Sequence, residues 1–224
     1  MKKQENLIEL FELPNLRKGV FLERPNRFFS FIKYNNKIYS AHVHNPGRLQ
    51  ELLVKGRFVL FSKSKGKLDY YLKAVKINDE WVLIDTALHS KIALKLIKLL
   101  PEFSEYKKIE KEKSIGHSRI DFVLDGIPLE VKGVTLVKDG FALFPDAPTK
   151  RGFRHVNEII KYNGMLLFLI FRNANKFKPN IETDPEFSKK LSEARQKKIP
   201  IYTVRIKFDR QKVYYAGKIP LADF

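Results

Sequence analysis

The sequence has no cysteine, which excludes a disulfide framework, a thiolate zinc site and a cysteine nucleophile, and fits a reducing compartment. The cytoplasm is the expected location. Long hydrophobic runs are lacking too: the longest, "MLLFLIF" at 165–171, falls far short of the ~20 residues a membrane helix needs. The opening "MKKQENLIELFELPNL" has lysines, but Glu5, Glu9 and Glu12 interrupt its apolar residues too often for a signal-peptide core. A soluble protein with no membrane partner is expected. Neither G-x-x-x-x-G-K-[ST] nor G-x-G-x-x-G occurs, which argues against P-loop nucleotide hydrolysis and dinucleotide binding. There is no internal repeat and no low-complexity segment.

Acidic residues are scarce relative to basic ones. Asp and Glu number 25 against 43 Lys and Arg, giving a net charge of +18 and a pI near 9.9. Such an excess favours a polyanionic partner, nucleic acid above all; the alternative is the lysine-rich surface common in heat-adapted proteins. Basic residues outnumber acidic ones in both halves of the chain, so if nucleic acid is bound, both halves are expected to face it. With 224 residues, 44% of them hydrophobic, the chain can fill one large or two small cores.

From 17 to 84 the chain reads as short strands separated by turns. "RFFSFIKY" and "KIYSAHVH" flank Asn35-Asn36, a two-residue turn tolerant of positive φ. "HNPGRLQELLVKG" is a connection with room for one helical turn, and "RFVLFSK", "LDYYLKAVKI" and "EWVLIDT" follow, parted by Lys65-Gly66 and Asn78-Asp79. Counting "GVFLER" with the strand it runs into gives roughly five strands, the outline of an OB-like β-barrel over 1–84; a five-stranded sheet packed on a neighbouring domain fits the same pattern. Near 85 the period changes. "DTALHSKIALKLIKLLP" has Asp85 or Thr86 as N-cap, Leu88, Ile92, Leu96 and Leu99 on one stripe, and a stop at Pro101. Three strands come next, "YKKIEKEKSI", "SRIDFVL" and "IPLEVKGVTLV", the last two joined at Asp125-Gly126. The helix "TKRGFRHVNEIIKYNG" is capped by Thr149 and Gly164, and "MLLFLIF" reads as a strand covered on both faces. A helix with Asp184 at N-cap and Pro185 at N1 leads into "IPIYTVRIKF". The order α-β-β-β-α-β, then α-β, predicts a mixed α/β domain over 85–224, its mixed sheet flanked by helices.

Within "GHSRIDFVLDGIPLEVKGVTL", strand alternation points Glu130 and Lys132 the same way and Val131 the other. If Asp125-Gly126 turns the hairpin, Asp121 lies beside Glu130. Two carboxylates and the Val131 carbonyl would then offer oxygen ligands suited to Mg²⁺, with Lys132 placed to orient or deprotonate a water or to hold charge on phosphate. The competing reading is a pair of salt bridges to Arg119 or Lys132.

On the second and third strands of an α-β-β-β-α-β unit, Asp121, Glu130 and Lys132 resemble the motif of the PD-(D/E)xK nucleases. Ile120 stands where the motif's name has proline. Members often add a Glu from the preceding helix or strand; Glu102, Glu105, Glu110 and Glu112 are the candidates here. Across the whole chain, "GHSRIDFVL", "LEVKGVTL", "FPDAPTKRGFRHVNEI", "FLERPNRF" and "AHVHNPGRL" resemble the sugar fermentation stimulation protein family. That resemblance implies an N-terminal OB-like domain, a C-terminal nuclease-like domain and DNA binding, favoured over RNA, with little sequence preference. The leading expectation is a nuclease-like site that cleaves phosphodiesters with Mg²⁺ or Mn²⁺ as cofactor, and the alternative a non-catalytic DNA-binding regulatory protein that retains the nuclease shape. Oligomeric state, a homodimer included, is left open.

Other residues carry weaker signals. Lys150, Arg151 and Arg154, with backbone N–H groups at the helix start, could hold a phosphate. Arg151, His155 and Glu158 share a helix face, so His155 could move a proton. Alternatively Asp146 and Thr149 only cap the helix, and Arg151 pairs with Glu158. In the barrel, Phe28, Phe29, Phe31, Tyr34 and Tyr39 lie among Arg24, Arg27, Lys33 and Lys37, a pattern suited to stacking bases beside basic groups. Arg48 is a further candidate phosphate contact. His42 and His44 share a strand face but lack an evident third metal ligand.

Overall fold

The computed structural model describes residues 6–224; Met1–Glu5, part of the stretch read as too acidic for a signal core, lie outside the described residues. The chain forms two compact units. One runs to Leu88 and takes in Ile206–Ala216; the other comprises His89–Arg205 and Gly217–Phe224.

In the first unit, β1 (Ile8–Glu12), β2 (Arg17–Asn26), β3 (Phe29–Tyr34), β4 (Lys37–Val43), β5 (Phe58–Lys63), β6 (Tyr70–Ile77) and β7 (Glu80–Leu83) follow in order. The Asn35-Asn36 turn forms as expected, with φ of 48° and 58°. Sheet order β4-β3-β2-β5-β6, closed by a parallel β4–β6 pairing, makes a five-stranded OB-like barrel. The five strands are as many as expected but not the same five: β2 and β3 are separate staves, because the Asn26 side chain accepts the Phe28 N–H at 2.9 Å and turns the chain there. β7 lies outside the closure, paired with β6. Phe21, Ile32, Ala41, Val43, Phe61 and Leu72 fill the interior. The 44–57 connection makes no helix; Leu52 and Leu53 donate to the Leu49 carbonyl in a tight turn, burying Leu49 and Leu52.

The second unit opens with α1 (His89–Leu99), followed by β8 (Ile109–Ile115), β9 (Ser118–Leu124), β10 (Ile127–Val134), β11 (Leu136–Lys138) and β12 (Phe141–Phe144). Then come α2 (Lys150–Lys161), β13 (Met165–Ile170), β14 (Lys176–Pro179), α3 (Pro185–Gln196) and β15 (Ile201–Phe208); the end of β15 and most of β16 (Lys212–Lys218) belong to the first unit. The main sheet of the second unit is mixed: β8, β9 and β10 are antiparallel, while β10, β13 and the first part of β15 are parallel. Short β11, β12 and β14 form a second sheet. β13 is buried along its whole length. Leu166, Phe168 and Ile170 pack with Val156 and Ile159 of α2 and Phe187 and Leu191 of α3. The α1 stripe is Ile92, Ala93, Leu96 and Ile97; Leu99, expected in it, is the last residue of the helix and is exposed, and Leu88 belongs to a 3-10 turn before it. Asp85 caps that turn through the Ala87 N–H.

Candidate functional site

The Asp125-Gly126 turn, with φ of 48° and 90°, sets the β9–β10 register at Leu124↔Ile127, Val123↔Pro128 and Phe122↔Leu129. One more step would pair Asp121 with Glu130, but there the ladder ends. Instead the Asp121 carboxylate reaches across and accepts the Val131 N–H at 2.8 Å through Oδ2. The N–H and C=O of an extended residue point to the same side of the strand, so the Val131 carbonyl also faces the β9 side.

Glu130 is 2% exposed. Its Oε1 is held by Lys132 Nζ and His155 Nδ1. Its Oε2 is buried and has no hydrogen-bond partner. Arg151 Nε donates to His155 Nε2 at 3.3 Å; this makes Nε2 an acceptor and puts the imidazole proton on Nδ1, facing Glu130. The electrostatics separate the two carboxyls. Burial, and then the charge of Glu130, push the Asp121 pKa up to about 6. Burial also works against ionised Glu130, yet Lys132 and His155 outweigh it and lower its pKa. Glu130 is thus a fixed anion, and Asp121 a carboxyl whose ionisation a neighbouring cation would favour.

Around this centre, α2 is built as its sequence suggested at one end and differently at the other. Thr149 caps it, accepting the Gly152 N–H at 2.9 Å. Asp184 binds both the Thr149 N–H at 2.8 Å and the Phe187 N–H at 3.0 Å, joining the starts of α2 and α3. Asp146 sits half-buried in the preceding loop, and the caps come from Thr149 and Asp184 instead. At the far end Asn163, with φ of 48°, takes the left-handed position expected of Gly164; Gly164 is required because a Cβ there would lie 2.5 Å from the Pro128 carbonyl. Glu158 does not pair with Arg151 but accepts the His117 N–H at 3.3 Å. A Cβ on Gly116 would collide with it, so Glu158 fastens the β8–β9 turn. Lys150, Arg151 and Arg154 are exposed along the first turns of α2.

The additional glutamate suggested by the resemblance does not appear at this centre. Glu102 pairs with Lys218, Glu112 with Arg119, and Glu110 with Lys108 at 3.1 Å and Lys113 at 2.9 Å; Glu105 is exposed before β8. Among the described residues no three His, Asp or Glu side chains converge on a point where they could hold a metal ion. What joins Asp121, Glu130 and Lys132 instead is His155, through a contact 25 residues apart in sequence.

In the first unit, Arg24 is turned inward. Its guanidinium donates to the carbonyls of Arg27, Asn45, Gly47 and Arg48, at 2.5 to 3.2 Å. Those donors tie the β2–β3 turn to the 45–48 loop, a structural use that the sequence reading of Arg24 as a phosphate contact did not include. Arg27 and Arg48 are exposed and line, with Lys55 and Gln50, a cavity of about 440 Å³.

No helix among the described residues is long and apolar enough to cross a membrane. The family model described as "Sugar fermentation stimulation protein RE domain" matches residues 87–212, and that of the "SfsA N-terminal OB domain" matches 22–84. The sugar fermentation stimulation protein homolog of Methanothermobacter thermautotrophicus is 38% identical over 220 residues, 91% of this chain and 92% of that one. Its namesake from Thermosipho melanesiensis is 37% identical, covering 96% and 98%. A solved structure described as Pyrococcus furiosus SfsA in complex with Ca2+ superposes with a TM-score of 0.89 at 30% identity, covering 96% of this chain and all of that one. With both domain models matched in order and relatives alike over nearly their full lengths, the chain belongs to the sugar fermentation stimulation protein family.

Proposed function

We propose that this protein binds DNA with little sequence preference and cleaves phosphodiester bonds at Asp121, Glu130 and Lys132, in the manner of the PD-(D/E)xK nucleases. The observation that carries the reading is Glu130 Oε2, a buried carboxylate oxygen with no partner, beside a second carboxyl whose pKa burial and then the charge of Glu130 push up to about 6. A buried anionic oxygen is costly unless paired, and a divalent cation would pair it. Asp121, Glu130 and the Val131 carbonyl supply the hard oxygen donors that Mg²⁺ or Mn²⁺ prefers, few enough to leave room for water and phosphate. The Ca²⁺ complex of the Pyrococcus furiosus relative supports the same chemistry. The excess of basic residues supports a polyanionic substrate, and the lack of cysteine a cytoplasmic setting.

When bound, the cation would polarise the phosphate and lower the pKa of a bound water. The chain's own groups do the rest. Lys132 Nζ, at the same carboxylate, is placed to orient the water or to hold charge on phosphate. His155 fixes Glu130 through Oε1, so that Oε2 remains for the cation. Lys150, Arg151 and Arg154 offer phosphate contacts at the α2 N-terminus, where the helix dipole adds to their charge.

A second reading, DNA binding without cleavage, is favoured by the pairing of Lys132 and His155 with Glu130, which already neutralises that carboxylate. The test incubates the protein with single- and double-stranded DNA and RNA in Mg²⁺, Mn²⁺ or chelator, beside Asp121→Ala and Lys132→Ala. Cleavage by wild type alone, abolished by chelator, is expected. DNA bound with equal affinity by all three, and cut by none, would establish the second reading instead.

A further inference from the structure

The outer surface of the barrel carries a row of rings that the core does not use. β3, β4 and β6 turn Ser30, Ile32, Ala41, Val43, Leu72 and Ala74 inward, all of them fully buried. Strand alternation turns Phe29, His42 and Tyr71 outward. Register places these three side by side, Phe29 opposite His42 and His42 opposite Tyr71. Phe28, 50% exposed, lies nearly parallel to His42, with centroids 6.2 Å apart and planes 13° apart. The His42 and Tyr71 rings are 6.1 Å apart.

One end of the row is held by its neighbours. His44 packs against both His42 and Tyr71, at 4.2 and 5.1 Å, with its Nδ1 3.7 Å from buried Asp85. Asp85 also holds Lys73 at 2.5 Å, and Lys73 lies over the Tyr71 ring. The other end, at Phe28, adjoins exposed Arg27. Tyr34 and Tyr39, by contrast, lean on Tyr70 in a separate cluster.

A line of partly exposed rings beside cationic groups suits a polyanion that presents flat, unpaired π-faces. Single-stranded DNA has that chemistry; a duplex hides its base faces in the stack. We infer that the outer face of β3, β4 and β6 is a single-strand binding platform on which Phe28, His42 and Tyr71 stack unpaired bases. The inference rests on the reading that this protein binds nucleic acid.

Fluorescence anisotropy with a labelled oligo(dT) and a duplex of equal length, both in chelator, tests it. His42→Ala and Tyr71→Ala are expected to weaken oligo(dT) binding by about 5- to 100-fold each, with duplex affinity unchanged. His42→Phe and Tyr71→Phe keep a ring and should bind as wild type, which separates lost stacking from lost folding. Alanine variants that bind oligo(dT) like wild type, or lose both DNAs equally, would overturn the platform while leaving nucleic-acid binding intact. Wild type that binds neither DNA would overturn both readings. If the substitutions dissociate a dimer in sedimentation without changing DNA affinity, the face belongs to a second copy and the platform is wrong.

Discussion

Replacing Asp121 by Asn should stabilise the metal-free protein at neutral pH, although it removes a proposed ligand. Asn keeps an oxygen for the Val131 N–H but carries no charge beside Glu130. Burial and the charge of Glu130 push the Asp121 carboxyl from its ordinary 3.8 up to about 6 in the fold, so the folded state holds its proton more tightly than the unfolded one. A raised acid of this kind is harmless below the unfolded pKa, loses stability as pH rises between the two values, and imposes a constant penalty above the folded one. At about 1.4 kcal/mol per tenfold change in proton affinity, that penalty is about 3 kcal/mol at most, and about 2 once partial access of water is allowed for. Guanidinium denaturation in chelator should therefore give Asp121→Asn an advantage of about 2 kcal/mol at about pH 7.5 that disappears by about pH 3.5. Millimolar Mg²⁺ should then raise wild-type stability and leave the variant unmoved. Equal pH dependence of the two proteins, or an Asn variant less stable at both pH values, would refute the account of two crowded carboxyls.

Two further substitutions separate positioning from support. His155→Ala removes one clamp on Glu130 Oε1 and should lower cation affinity and cleavage by about 10- to 100-fold, as loss of a group that orients a metal ligand commonly does; His155→Gln, which can still donate, should recover part of the cation affinity measured by titration calorimetry. Arg24→Ala should cost about 2 kcal/mol of stability, because several charged hydrogen bonds to carbonyls are lost, and Arg24→Lys should restore little of it because one ammonium cannot reproduce the guanidinium fork. A large loss of DNA affinity without destabilisation would make Arg24 a phosphate ligand after all.

Features of the fold that were legible from sequence depend on a few adjacent residues: the Asn35-Asn36 and Asp125-Gly126 turns, the Thr149 and Asp184 caps, the apolar β13. Features that were not depend on choices made at a distance. Asn163 and Gly164 both tolerate positive φ, and only the approach of Pro128 decides which is used. β16 follows a turn without glycine, made by the Asp209 side chain accepting from Gln211 and Lys212; the aspartate was a readable signal, but a weak one. Arg24 looked like any basic residue near aromatics until its acceptors, up to 24 residues away, were in place.

The centre itself shows why the charge pattern alone was ambiguous. Asp121, Glu130 and Lys132 on adjacent strands pose a choice between a salt bridge and a cation site, as though one excluded the other. A carboxylate, however, has two oxygens and several lone pairs. At Glu130 they are divided: Oε1 is held by Lys132 and His155, and that ion pair keeps the group ionised inside the fold and sets its orientation. Oε2 is left buried and unpaired. On the proposed reading, the salt bridge and a cation would use different oxygens of Glu130. The salt bridge is what allows a buried carboxylate to keep its charge, with one oxygen still available to bind a cation.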